Sequence, residues 1–128
     1  MIGSSVTDPH WLDQIATARP TLVVAEGLLM YLRIDEVREL LHRLTDRFDC
    51  GEMLFDTLSA LEPVLSKILT HGIIKWGIRD ARELQTWNPR LRFLEQVSAL
   101  AGYPNLFHSV CRNCRVSLAS SHQQHAGD

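Results

Sequence analysis

A chain of 128 residues with 45% hydrophobic and 22% charged residues has the size and make-up of one globular domain around one core. A formal net charge of −2 gives no clustered basic face, so nucleic acid is not an expected partner. No apolar run approaches the roughly 18 residues that span a bilayer, and the N-terminus shows no signal peptide. Three cysteines, Cys50, Cys111 and Cys114, make a reducing cytoplasm the expected compartment.

Residues 3–9 (GSSVTDP) read as a loop, and Asp8-Pro9 starts a short helix to about Ala18 with Trp11, Leu12 and Ile15 on one face. Arg19-Pro20 ends that helix and feeds Thr21–Ala25 (TLVVA), an apolar run without alternation, the pattern of a strand buried on both faces. Glu26 follows directly, and Gly27 lets the backbone turn away from the strand axis. A carboxylate at the end of a buried strand costs desolvation energy unless it meets a donor, a cation or water. In open α/β sheets that strand end is also where ligands bind.

The segment LLMYL that follows reads as a short helical or irregular turn. Ile34–Phe48 is the clearest helix, with Ile34, Val37, Leu40, Leu41, Leu44 and Phe48 in one stripe. Asp35 and Glu36 suit its positive end, and Gly51 suits its termination. Glu52–Thr57 (EMLFDT) is a second strand, again with a carboxylate, Asp56, near its end. Strand, helix, strand at these lengths makes a right-handed parallel βαβ unit. Parallelism puts Glu26 and Asp56 on the same edge of the sheet.

Beyond this unit, a helix is expected over Ala60–Leu69, with Pro63 in its first turn, and Gly72–Gly77 is a break with an exposed-looking aromatic, Trp76. Asp80–Thr86 reads as a short helix capped by Asp80, with Glu83 three residues on. Arg92–Val97 alternates as a half-buried strand, Tyr103-Pro104 turns the chain towards a short helix over Leu106–Val110, and Arg115–Ala119 is a last strand partly facing solvent. Residues 120–128 are small and polar and read as a flexible tail after a domain of residues 1–119.

One neighbour is missing from this scheme. A central strand such as TLVVA needs hydrogen-bonding partners on both sides, and nothing before Thr21 looks like a strand. Unless a late strand or a second chain fills the gap, TLVVA is an edge. That is the signature of a fragment, or of a protein completed by a partner.

The run RPTLVVAEGLLMYL (Arg19–Leu32) resembles the hallmark segment of S-adenosylmethionine-dependent O-methyltransferases of the leucine carboxyl methyltransferase family, which includes members assigned to polyketide biosynthesis. SSVTDPHW (Ser4–Trp11), EMLFDTLS (Glu52–Ser59) and KWGIRDARELQTW (Lys75–Trp87) resemble, in order, the family's preceding loop, its next strand and its Trp-Gly segment. The likeness runs from about Ser4 to Ser98. It implies an α/β fold: part of a Rossmann-like class I methyltransferase sheet, with strands at about 21–26, 52–57, 92–97 and 115–119 and flanking helices. These residues would form the second half of a seven-stranded sheet, the family's Gly-rich loop and its ribose-binding acidic residue lying before Met1.

The resemblance implies S-adenosyl-L-methionine as cofactor and a methyl group passed to an oxygen of a small molecule or protein terminus, a carboxylate being the favoured acceptor. It places Ser5 and Val6 at the adenine end of the cofactor, where many members have Asp-Leu. It places Glu26 beside the methionine part of the cofactor, and Tyr31 near the entry of an acceptor; Asp56 is a second acceptor-side candidate by its own position at a strand end. It assigns no catalytic base. A complementing N-terminal half, or self-association through the open strand edge, would be the partner. The alternative is a non-catalytic methyltransferase-like domain that acts by association through that edge.

Each of these residues also has a plainer role available. Glu26 and Asp56 can cap turns or helices, Tyr31 can pack as a surface aromatic, and Asp8 suits the cap of the Trp11 helix. Trp76 and Trp87 read as anchors, with a substrate lid as the other reading of Trp76. Cys111-Arg112-Asn113-Cys114, with His108, His122 and His125 nearby, permits zinc or a redox pair. A single CxxC is a weak signal, so no metal is expected, and no Gly-x-Ser-x-Gly elbow supports a nucleophilic serine.

Overall fold

The computed structural model describes residues 1–58, 62–98 and 111–119. Four strands form one sheet: β1 (Thr21–Ala25), β2 (Cys50–Leu58), β3 (Leu91–Ser98) and β4 (Cys111–Ala119), in the order β1-β2-β4-β3. β1 and β2 are parallel, with Thr21 opposite Gly51 and Ala25 opposite Phe55. β4 runs antiparallel to both β2 and β3. The late strand therefore takes the far side of β2, and among the described residues β1 pairs with β2 alone.

The crossover between β1 and β2 is α1 (Ile34–Arg47). Its start is capped by Glu36, whose carboxylate accepts the Arg33 amide at 2.8 Å. Val37, Leu40, Leu41 and Leu44 are buried to 3% exposure or less and join Met53, Phe55, Ala25 and Val116 in one core. Burying four such side chains contributes roughly 6–12 kcal/mol before chain entropy is counted. Ile34, placed in the same stripe by its spacing, is 44% exposed. Gly51 does not end the helix. It lies inside β2, where an added Cβ would strike the Thr21 carbonyl of β1, so its smallness serves the strand pairing.

The N-terminal segment departs from expectation. Only Trp11–Gln14 is helical, as a single 3-10 turn. Asp8 does not cap it: the N-cap position is His10, without a side-chain cap bond, and Asp8 instead accepts the His10 amide at 2.8 Å in the turn before the helix. The turn goes no further because Arg47 of α1 donates to the carbonyls of Asp13 and Ile15, at 3.2 and 2.7 Å, and so takes acceptors that a continuing helix would use. Arg43 reaches the Thr7 carbonyl at 3.0 Å. Two arginines of α1 thus strap the N-terminal loop across the helix.

α2 (Glu62–Leu69) follows β2 as expected, and Asp80 caps the turn at Ala81–Glu83 that leads into α3 (Leu84–Trp87). β3 carries a bulge at Leu94, since Phe93 pairs with Val116 and Glu95 with Arg115. β4 is longer than its alternation implied, because it takes in the whole of Cys111–Cys114. The turn at Tyr103-Pro104, the helix over Leu106–Val110 and the tail from residue 120 lie outside the described residues.

Candidate functional site

The parallel pairing of β1 and β2 brings their carboxyl ends together. Beyond Ala25 the chain turns at Gly27, whose φ of +60° lies in the left-handed region that glycine adopts at little cost. The Gly27 amide donates to Asp56 Oδ1 at 2.8 Å. The turn is therefore tied to the neighbouring strand by a charge-assisted hydrogen bond. Glu26 and Asp56 sit on one edge of the sheet, as parallelism required, but in different situations. Asp56 is half-buried and spends one carboxylate oxygen on the turn, whereas Glu26 is exposed and has no partner among the described residues.

The segment after Gly27 is a 3-10 turn, Leu29–Tyr31. Leu29 and Met30 are buried, and the Met30 carbonyl accepts the amides of Lys75 and Trp76, at 2.8 and 3.3 Å. Tyr31 stands 46% exposed beside this anchored turn. The rim of the β1 edge thus combines a fixed backbone with a free carboxylate and a phenol open to solvent.

Ser5 and Val6 occupy a separate turn on the N-terminal loop. The Ser5 hydroxyl lies 2.8 Å from that of Thr7, and the Ser5 carbonyl accepts the Asp8 amide at 3.1 Å. The Val6 carbonyl accepts Trp11 Nε1 at 3.0 Å. Beside this turn is an open hollow of about 500 Å³ lined by Met1, Ile2, Ser4, Val6, Trp11 and Ile15. Its walls are mostly apolar, which suits a flat ring. The five candidates lie on different segments: Glu26 and Asp56 at the strand ends, Tyr31 on the turn that follows Gly27, and Ser5 with Val6 on the N-terminal loop beside the hollow.

Trp76 is 4% exposed, with its ring 6.0 Å from Trp87, over which the Arg38 guanidinium lies at 4.7 Å. Burial makes Trp76 an anchor and removes both its exposed look and the lid reading. Cys111 and Cys114 both lie in the extended backbone of β4, opposite Leu58 and Phe55 of β2, and not in the tight knuckle a zinc pair needs. Sequence reasoning missed the link from Asp56 to Gly27, for which an acidic residue near a strand end was the only available signal. It also missed Arg33, Lys67 and Lys75, which line one recess beside the 3-10 turn at Leu29–Tyr31.

A parallel βαβ unit joined to an antiparallel strand pair, with its candidate residues at the carboxyl edge of the first strand, is a methyltransferase-type α/β architecture. Two solved structures share it: a protein of Thermobifida fusca YX assigned as a methyltransferase, with a TM-score of 0.67, and the N-methyltransferase NodS of Bradyrhizobium japonicum WM9 bound to S-adenosyl-L-homocysteine, with a TM-score of 0.57. Each is 15% identical to this chain, and each match covers 91% of it and 53% of the other protein.

Sequence comparison is more specific. The chain is 40% identical over 105 residues to the tetracenomycin polyketide synthesis O-methyltransferase TcmP of Streptomyces glaucescens, a match that covers 78% of this chain and 39% of TcmP. It is 33% identical over 114 residues to the S-adenosyl-L-methionine-dependent methyltransferase dpfgK of Gibberella zeae, covering 79% of this chain and 38% of that protein. No family model matches the chain. The chain is thus a relative of S-adenosyl-L-methionine-dependent methyltransferases, and it spans about two fifths of the length of these curated relatives.

Proposed function

We propose that this chain supplies the acceptor-side half of an S-adenosyl-L-methionine-dependent O-methyltransferase, acting in the cytoplasm on a small molecule. One observation carries the reading: in a chain 40% identical to a polyketide O-methyltransferase, an exposed carboxylate without a partner, Glu26, sits on a turn clamped at the carboxyl edge of β1. The cofactor supplies an electrophilic methyl group on a sulfonium. Glu26 binds the ammonium of the cofactor's methionine part, and the clamp by Asp56 keeps the Glu26 backbone from drifting. Val6, with Ser5 beside it, borders the hollow that takes the flat adenine ring. Tyr31 lies at the mouth and orients the acceptor.

The favoured acceptor is a carboxylate, which is already nucleophilic at neutral pH, so no base is needed. Rate then comes from alignment of the two reacting groups and exclusion of water. The rest of the cofactor pocket, including a Gly-rich loop, comes from a complementing N-terminal half. Isothermal titration of the chain with S-adenosyl-L-methionine tests this reading. Measurable heat, with affinity lowered about tenfold in Glu26→Gln, is expected for loss of a charge-assisted contact in a cleft. No heat at millimolar cofactor overturns cofactor binding by this chain on its own.

A second reading is favoured by the open strand: a non-catalytic domain that associates through β1. Leu22 and Val24, on the sheet face away from α1, are 61% and 64% exposed.

A further inference from the structure

Between α2 and the entrance to α1 lies a recess of about 330 Å³. Its apolar wall is Pro63, Val64 and Ile74, and three cationic residues from three segments stand around it: Arg33 before α1, Lys67 on α2, and Lys75 on the irregular stretch that follows. The recess is held in shape by backbone bonds. Ser66, 5% exposed, accepts the Ile74 amide on its hydroxyl at 2.9 Å and the Gly72 amide on its carbonyl at 2.9 Å, which fixes the return chain against α2. The Lys75 amide bonds the Met30 carbonyl at 2.8 Å, which fixes the same chain against the turn that follows Glu26 and Gly27.

The charges are poorly balanced. Among the described side chains, the carboxylates paired with these cations are Asp35 and Glu36, both 3.5 Å from Arg33, and Glu36 is also spent on capping α1. Lys67 and Lys75 have no ion pair among the described residues. With Arg33 already paired, Lys67 and Lys75 leave an excess of positive charge beside an apolar wall, which favours an anion there. The wall in turn favours a ligand whose anionic head is carried on an apolar body.

We propose that this recess is a binding site for an organic carboxylate with an aromatic or aliphatic body, the carboxylate lying between Lys67 and Lys75 with Arg33 at the rim, and the body against Val64 and Ile74. This goes beyond methyl transfer, and one consequence rests on that reading. A carboxylate held by several cations has its lone pairs engaged and is a poor nucleophile, so the group bound here is a handle on the acceptor and not the oxygen that is methylated. The acceptor then carries an acidic group apart from its methylation site.

Amide-resolved NMR titration of the 128-residue chain with 2-naphthoate, its methyl ester and inorganic phosphate tests the site. The expected result is saturable shifts at Val64, Gly72 and Ile74 with 2-naphthoate, and at least tenfold weaker binding of both the ester and phosphate. Lys67→Gln and Lys75→Gln, both surface changes, each weaken 2-naphthoate about three- to fivefold, and 0.5 M salt weakens it further. Equal binding of ester and acid, equal binding of phosphate, shifts elsewhere in the chain, or no effect of either lysine change overturns the proposal. Titration with S-adenosyl-L-methionine is independent of these lysines, so failure here leaves the cofactor reading untouched, and the reverse also holds.

Discussion

Removing the Asp56 carboxylate should loosen the turn that carries Glu26. Its Oδ1 accepts the Gly27 amide at 2.8 Å across the gap between β2 and the end of β1. Hydrogen bonds to a charged partner contribute about 1.5–3 kcal/mol, but Gly27 is exposed and its amide regains water when the acceptor is lost, so Asp56→Ala should cost about 1–1.5 kcal/mol. With a urea slope of about 1–3 kcal/mol per molar, the unfolding midpoint falls by roughly 0.3–1.5 M. Asp56→Asn keeps an acceptor oxygen without its charge and should lose about half as much. The Gly27 amide resonance should move upfield in both variants, further in Asp56→Ala. Identical urea midpoints for Asp56→Ala and the parent chain, with an unmoved Gly27 resonance, would show that the clamp does not form in solution.

Two further outcomes follow from the strand pairing. Gly51→Ala pushes a methyl group against the Thr21 carbonyl; overpacking of this kind costs about 1–3 kcal/mol, and amide exchange should quicken across β1 while α1 is less affected. Val24→Lys places a charge on a side chain already 64% exposed, so chemical stability should change by no more than about 0.5 kcal/mol. If β1 is an association surface, sedimentation of the parent chain shows a species larger than the monomer and Val24→Lys abolishes it; a monomeric parent chain at 100 µM rejects the association reading.

The elements legible in the sequence were those with strong periodicity or end signals. The stripe of α1, the parallel β1 and β2, the Asp80 cap and the alternation of β3 all follow from local pattern and chain length. The failures have long-range causes. The N-terminal helix stops after one 3-10 turn because Arg47, 32 to 34 residues away, takes carbonyls that a longer helix would use. Gly51 reads as a helix end until the partner strand is placed beside it. Trp76 reads as exposed in a GIIKWG break, and only the tertiary fold puts Trp87 over it. At the candidate site, Glu26 and its sheet edge were readable because a carboxylate ends an apolar run. The Asp56 clamp and the cationic recess were not, since each depends on residues brought together by the crossover and by the chain's return from α2.

The largest difference between pattern and structure concerns β1 itself. Five consecutive apolar or β-branched residues are what a strand covered on both faces contains, yet the burial alternates, with Val23 and Ala25 against the core and Leu22 and Val24 open. Leu54 stands opposite Val24 in the register and is 37% exposed on the same face. Leu22, Val24 and Leu54 therefore make one apolar patch that adjoins the edge of β1 left without a strand partner among the described residues. A strand added to that edge would extend the sheet, and a helix crossing back from it would lie on the patch, because right-handed crossovers return across a sheet face. Edge and patch are thus suited to the same βα unit. Filling them would bring the carboxyl end of the added strand next to Glu26, where the proposed cofactor needs its second wall.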